Sequence, residues 1–584
     1  MERYALKKRI DVAAGRVPAD LVINNCIIVD VYNSSLIEGK GIAIADGVIA
    51  GIGDYRGIRE IDAQGRYAVP GFIDGHIHIE SSYVTPEEIG RLLVPHGATT
   101  IIADPHEIVN VCGMAGMKYM LEAAKGTKLD IRYMLPSCVP ATPFEHSGAA
   151  IDADVMKDPI KEEGILGLGE FMDYQGVSGA SENVLDKLLV AINEGKLIDG
   201  HSPGLAGSML DAYIAGGIHT DHECSSEREM LDRLSRGLYI LLREGSACHD
   251  LRTLLKAVTP ANSRRCLFCS DDRQPETILK SGHLDNHLRI CVEEGIDPLI
   301  AIQMASLNAA ECYGLKDRGA IAPGLRGDIV LLEDLKDFGV RQVFIRGELV
   351  AEEGRYLPEV KLADNSAVIG SFRVKDFSIE KLKIVSKSDR VHVIDILPGG
   401  VLTAKGTAEI VRNIRGEFVR QPDQDIVKVA VVERHQNTGK VALGLLRGYG
   451  IRSGAVATSI AHDSHNIIAV GTNDEDMALA VEQLTKRGGG IILTRDREVI
   501  NYMPLVVGGI MSDRQGEWVS EKLAGIHEDA FGLLGVSKEV EPVMTLCFMS
   551  LAVIPEIKLT DMGLFDVTRS VFIPIEADMD ESKE

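Results

Sequence analysis

Hydrophobic and polar positions along the chain fall into three textures. From about residue 20 to 70, apolar runs rich in Val and Ile (Leu21–Val29, Gly41–Ile52) are broken by Asn-Ser and Asp-Gly turn signals, which predicts short strands. The same texture returns at 327–350, with Asp328–Leu332 and Val343–Ile345 as strands and Arg346-Gly347-Glu348 as a turn. Two β segments flanking a long middle predict one small β-sandwich domain built from both, residues 1–69 and 326–365. The middle alternates differently. Eight short apolar runs, each followed by a helix-like stretch, occur at Ala68–His76, Thr99–Asp104, Ile131–Pro136, Ile165–Phe171, Leu197–His201, Ile218–Glu223, Tyr239–Arg243 and Cys266–Asp271. Eight β-α units over roughly 250 residues predict a (β/α)₈ TIM-like barrel, residues 70–325.

Leu357-Pro358-Glu359 and the polar stretch after it read as a linker. The remainder, 366–584, is predicted to be an α/β or α+β domain. Its strands are Ile426–Val432, Gly454–Ser459, Asn466–Val470 and Ile491–Leu493, its helix lies between Asp476 and Arg487, and its acidic tail frays after Ala577.

Composition narrows the class. The net charge of -24 and the lack of any Lys/Arg stripe exclude a nucleic-acid partner, because phosphate binding needs clustered cations. Aromatic residues are only 5%, so aliphatic side chains must fill the cores. The ten Cys are scattered through apolar segments, as free thiols in a reducing compartment would be. With no signal-peptide h-region and no apolar run long enough to span a bilayer, the expectation is a cytoplasmic protein without membrane contact.

The chemistry lies where the barrel runs stop. Nearly every one ends in His, Asp or Glu, and barrel active sites sit at the C-terminal ends of the strands. In Val69-Pro70-Gly71-Phe72-Ile73-Asp74-Gly75-His76-Ile77-His78, the two histidines are two apart, so on a strand both face one side and can grip one ion. Two other patterns fall away. His78-Ile79-Glu80 with Cys266-Leu267-Phe268-Cys269 lacks the Pro of the His-x-Glu/Pro-Cys-x-x-Cys deaminases, and cysteines three apart on a strand face opposite ways. Gly488-Gly489-Gly490 lacks the Lys of a phosphate loop.

The pattern resembles the amidohydrolase superfamily: His-x-His on strand one, Lys or Glu on strand four, His on strands five and six, Asp on strand eight. These positions read His76, His78, Glu170, His201, His222 and Asp271. The resemblance is closer to the adenine deaminase family, through Glu170 in place of Lys, Ala103-Asp104-Pro105-His106-Glu107, Leu242-Arg243-Glu244-Gly245-Ser246-Ala247, Val432-Glu433-Arg434-His435, Ala461-His462-Asp463-Ser464-His465-Asn466 and Gly508-Gly509-Ile510-Met511-Ser512. It implies conversion of adenine to hypoxanthine and ammonia by a binuclear divalent centre, Mn²⁺ or Fe²⁺ with Zn²⁺ as a further option, in a homo-oligomer.

On that basis His76, His78 and Asp271 hold one ion, His201 and His222 the other, and Glu170 is shared. The ions lower the pKa of a water from 15.7 towards about 7, hydroxide attacks C6, and Asp271 relays the proton to the departing amino group. Glu170 and Glu244 are the candidates for protonating N1. Arg243 pairs with a carboxylate or contacts the purine, and Ser81 is a substrate-side or second-layer hydroxyl. Asp104, His106 and Glu107 orient the ligands, hold an additional ion, or form a turn. His462 and His465 either pack or sit at the mouth of the site. Two other functions remain: a different amidohydrolase reaction such as cyclic amide hydrolysis, and an inactive barrel serving as a scaffold.

Overall fold

The computed structural model describes residues 3–398 and 400–577; the tail expected to fray after Ala577 lies outside the described residues. The barrel strands are β1 (Phe72–His78), β2 (Ala98–Ala103), β3 (Asp130–Leu135), β4 (Ile165–Phe171), β5 (Leu197–Gly200), β6 (Thr220–Asp221), β7 (Tyr239–Arg243) and β8 (Cys266–Cys269). All pairings among them are parallel, and β1 and β2 are buried at every residue. Parallel strands covered on both faces need continuous apolar runs, which is what the sequence supplies. Strands β5 to β1 form one ladder and β6 to β8 another. The ring closes where the His219 amide donates to the Ile198 carbonyl at 3.0 Å and where Asp271–Asp272 pairs with Ile77–His78.

Three predicted runs differ from the observed strands. Ala68–His76 divides at Gly71: Tyr67–Pro70 pairs antiparallel with Ile329–Leu332 of the flanking sheet, and only Phe72 onward enters the barrel. Ile218–Glu223 shortens to Thr220–Asp221, because the Asp221 carboxylate accepts the Glu223 amide at 2.8 Å and turns the chain. Cys266–Asp271 breaks at Ser270, whose amide and hydroxyl both donate to Asp74.

The two flanking β segments, expected to form a β-sandwich, meet as nine strands linked into one sheet. Alternate residues of Ala19–Asp30 serve separate cores: Leu21 and Ile23 pack with Ile42, Ile44 and Phe344, while Val22 packs with Ala43, Ala45 and Val12. The C-terminal region is built on an eight-stranded sheet that includes Ile426–Val432, Ala455–Thr458, Ile467–Gly471 and Gly490–Arg495. The expected helix runs Asp474–Arg487, capped by the Asn473 side chain at its start and by Gly488 in the left-handed region at its end. Two segments of this region reach the barrel mouth: the loop 460–466, between two central strands, and 544–555, where a short helix, Met544–Cys547, runs on through a 3₁₀ turn, Phe548–Ser550. All ten cysteines are free thiols. Among the described residues, no helix is long and apolar enough to cross a membrane.

Candidate active site

The strand ends converge on one cavity of about 610 Å³. Strand β1 delivers the His pair, and its close approach to β8 depends on Gly75, where a Cβ would lie 2.7 Å from Leu267 Cδ1. Asp74, wholly buried, fastens the two strand ends: it accepts the Ser270 amide at 3.1 Å and hydroxyl at 2.6 Å, and His283 Nε2 lies 3.0 Å away. Asp271 follows in the left-handed region (φ 55°), which aims its carboxylate back at the histidines. On β4, Gly169 leaves room for the Asp104 carboxylate, which accepts the Glu170 amide at 2.8 Å.

The six residues expected to bind metal are brought together. Glu170 Oε2 lies 2.9 Å from His201 Nδ1 and 3.1 Å from His222 Nε2, and its Oε1 lies 3.4 Å from His78 Nε2. Asp271 Oδ1 lies 3.1 Å from His78 Nε2 and 3.7 Å from His76 Nε2. The His76 and His222 rings stack with centroids 4.2 Å apart. In each of three subsets (His76–His78–Glu170, Glu170–His201–His222 and His76–His222–Asp271) the donor atoms fall within 4.8 Å of one another. His201 Nε2 is buried without a hydrogen-bond partner. Four imidazoles and two carboxylates at this spacing are a donor set suited to divalent cations of the Zn²⁺, Fe²⁺ and Mn²⁺ range.

Neighbouring basic groups keep both ligand carboxylates ionised. Burial raises the Glu170 carboxyl pKa, but His201 and His222 beside it hold it well below the usual range. Burial opposes ionised Asp271 too, and the His78 contact and the Arg243 charge outweigh it. Arg243 Nη1 donates to Asp271 Oδ2 at 2.9 Å and to Glu223, and its guanidinium reaches Asp250 at 3.0 Å. The guanidinium thus pairs with three carboxylates, and the side chain also lines the cavity.

Two expected residues lie elsewhere. Glu244 does not line the cavity: its carboxylate accepts from His249 Nδ1 at 2.8 Å at the rim, because the chain after β7 turns back through the Glu244–His249 bridge. Its expected role as N1 donor is therefore corrected. Ser81 is likewise behind the wall, where its hydroxyl donates to Asp272. Asp104 stands behind Glu170, and His106 lines the cavity beside it, with His106 Nδ1 3.4 Å from Glu170 Oε1. Glu107 accepts from His462 Nδ1 at 2.6 Å and from His465 Nε2.

Glu223 was missed. On a continuing strand it would face away from its neighbour His222, but β6 ends at Asp221, and the turn brings Glu223 Oε1 to 3.3 Å from His222 Nε2 and 3.7 Å from His201 Nδ1. The apolar far wall was also missed: Phe548, Leu551, Val553 and Ile554 line the cavity with Val401 and Leu402. Single apolar residues in loops carry no signal of that role.

Residues 67–350 match the model of the amidohydrolase family, and residues 401–570 match that of the adenine deaminase C-terminal domain. The chain is 63% identical to adenine deaminase 2 of Desulfotalea psychrophila, over 99% of this chain and 100% of that one. It is 51% identical to the adenine deaminase of Ligilactobacillus salivarius, over 99% and 100%. Among solved structures, an enamidase of the amidohydrolase superfamily aligns with TM-score 0.44 and 20% identity, covering 59% of this chain and 98% of that one.

Proposed function

The chain belongs to the amidohydrolase family and, within it, to the adenine deaminases, and from that premise we propose how its residues divide the work. The reaction is hydrolytic: the C6 amino group of adenine leaves as ammonia and hypoxanthine remains. His76, His78 and Asp271 would hold one divalent ion, His201 and His222 a second, with Glu170 between them. Mn²⁺ or Fe²⁺ suits this oxygen-containing set, and such ions supply a water whose pKa is lowered towards about 7.

Asp271 is the proton carrier. Its Oδ1 faces the histidines while Arg243 holds Oδ2 at 2.9 Å, so the carboxylate enters the reaction ionised and oriented. It takes a proton from the attacking water and returns it to the departing amino group, a role worth about 10²–10⁴-fold. Arg243 acts on this carboxylate and on Glu223, so its contribution is positioning. Asp104 fixes the Glu170 backbone from behind, and His106 stands beside its carboxylate.

The observation that carries this reading is the meeting of Glu170 with His78, His201 and His222 in one buried cluster. The test strips the metal, restores Mn²⁺ or Fe²⁺, and follows loss of adenine absorbance together with ammonia release. Wild-type turnover is expected to return with about two ions per chain. Asp271→Asn, loaded to the same metal content, is expected to lose at least about 100-fold in kcat. Turnover of the loaded Asn variant near the wild-type rate would remove the relay. Restored protein that releases no ammonia from adenine would remove the whole assignment.

A further inference from the structure

The barrel supplies the polar floor of the cavity and the C-terminal domain supplies its opposite wall, which is apolar except for His462 and Asp463. Phe548 and Leu551 pack with Met544 in a small cluster that extends to Val401 and to Ala247 of the barrel. This wall is held by a relay that crosses between the domains. Glu107, in the helix after barrel strand β2, accepts from His462 Nδ1 at 2.6 Å and from His465 Nε2. The His462 ring stacks on Phe548 with centroids 4.8 Å apart and planes at 16°. The His462 amide donates to the Cys547 carbonyl at 3.1 Å, so the residue before Phe548 is fastened as well. Glu107, His462 and His465 are all buried.

A purine is a flat, uncharged heteroaromatic ring whose edges hydrogen-bond and whose faces do not. A site that attacks C6 from a polar floor must cover the opposite face with something apolar, and an aromatic ring does this best because stacking on a base is favourable for any base. We propose that Phe548, backed by Leu551, is the surface on which the adenine ring stacks, and that Glu107 through His462 positions it. The C-terminal domain is then half of the binding site, and His462 and His465 are positioning residues. The inference rests on adenine being the substrate and on the strand ends being the reacting side.

Steady-state kinetics of the metal-loaded enzyme test it. Phe548→Ala is expected to raise KM for adenine about 10-fold, equivalent to about 1.4 kcal/mol, with kcat within about 3-fold and metal content unchanged. Phe548→Leu should give an intermediate KM, and it keeps the wall filled if the Ala variant folds poorly. Phe548→Tyr retains a ring and should stay within about 2-fold of wild type. Glu107→Gln should raise KM in the wild-type background yet add little to Phe548→Ala, since both act on one contact. An unchanged KM in Phe548→Ala would overturn the stacking. Fully additive effects would overturn the relay, as would loss of a bound metal ion in Glu107→Gln, which would make Glu107, His462 and His465 a cation site. A fall in kcat at saturating adenine with unchanged KM would place the fault in the floor and refute the assignment to the wall.

Discussion

Arg233 and Asp221 form an ion pair with no exposed side-chain surface, directly behind two of the proposed ligands. Arg233 Nε donates to Asp221 Oδ2 at 2.6 Å, and its Nη2 donates to the Ser202 carbonyl at 2.5 Å. Asp221 also accepts the Glu223 amide at 2.8 Å and the Ser202 hydroxyl. Ser202 follows His201 and Asp221 precedes His222, so this one pair joins the ends of β5 and β6. Arg233→Met keeps much of the volume and strands a buried carboxylate. Breaking a fully buried pair this way costs about 3–5 kcal/mol. With an m value near 3 kcal/mol/M, the urea midpoint of the barrel transition should fall by about 1–1.7 M. Adding Asp221→Asn removes the stranded charge and retains an acceptor for the Glu223 amide. The double variant loses about two neutral hydrogen bonds, about 1–2 kcal/mol, so it should recover about 2–3 kcal/mol relative to Arg233→Met alone. Far-ultraviolet circular dichroism in urea reads these shifts. Titration of the apo-protein with Mn²⁺ should show weaker binding in the single variant, because both His201 and His222 lose their backing. A shift below about 0.3 M, the size expected of an exposed pair, would refute the reasoning. So would a double variant no more stable than the single.

Two further outcomes follow from the placement of charged groups. Glu244→Gln should leave kcat/KM for adenine within about 3-fold, because Glu244 is engaged with His249 at the rim; a loss of 100-fold or more would return it to the chemistry. Lys558 is wholly buried in the C-terminal domain, donating to the Val401 carbonyl at 2.7 Å, and burial pulls its pKa from 10.5 down to about 7. Between those values the unfolded chain binds the extra proton, so the wild-type protein gains stability as pH rises from 7 to about 10.5, by up to about 1.4 kcal/mol per unit. Lys558→Met removes that slope: its advantage over wild type should grow as pH falls from 10 to 7 and level off below. A difference between the two urea midpoints that does not change with pH would contradict this.

The sequence made the floor of the site legible because topology does most of the placing. Parallel barrel strands end at one face, so His76, Glu170, His201 and Asp271, far apart in the chain, needed only correct strand ends to be expected in one place. Errors arose where the chain leaves the strand. Glu223 lies two positions beyond the end of β6 and Glu244 one position beyond the end of β7, where strand alternation no longer sets the direction of a side chain. The backbone turns Glu223 inward through the Asp221 carboxylate and ties Glu244 to His249 at the rim. These are hydrogen bonds of single side chains, which periodicity does not register.

The apolar wall was hidden for a different reason. Phe548 and Leu551 are ordinary hydrophobic residues in and after a short 3₁₀ turn more than 250 residues from the last barrel ligand, and nothing in their spacing distinguishes a pocket wall from a core. What links them to the barrel is polar. Had Glu107 no partner across the domain boundary, its buried carboxylate would be costly in the helix after β2; His462 and His465 supply that partner, and the burial of all three shows that the barrel and the C-terminal domain are folded against each other at the site. The C-terminal domain therefore cannot be removed without exposing Glu107 and opening the far side of the cavity. In the full-length chain, loss of the Phe548 ring at unchanged metal content should weaken adenine binding alone, which separates the metal-binding role of the floor from the substrate-binding role of the wall.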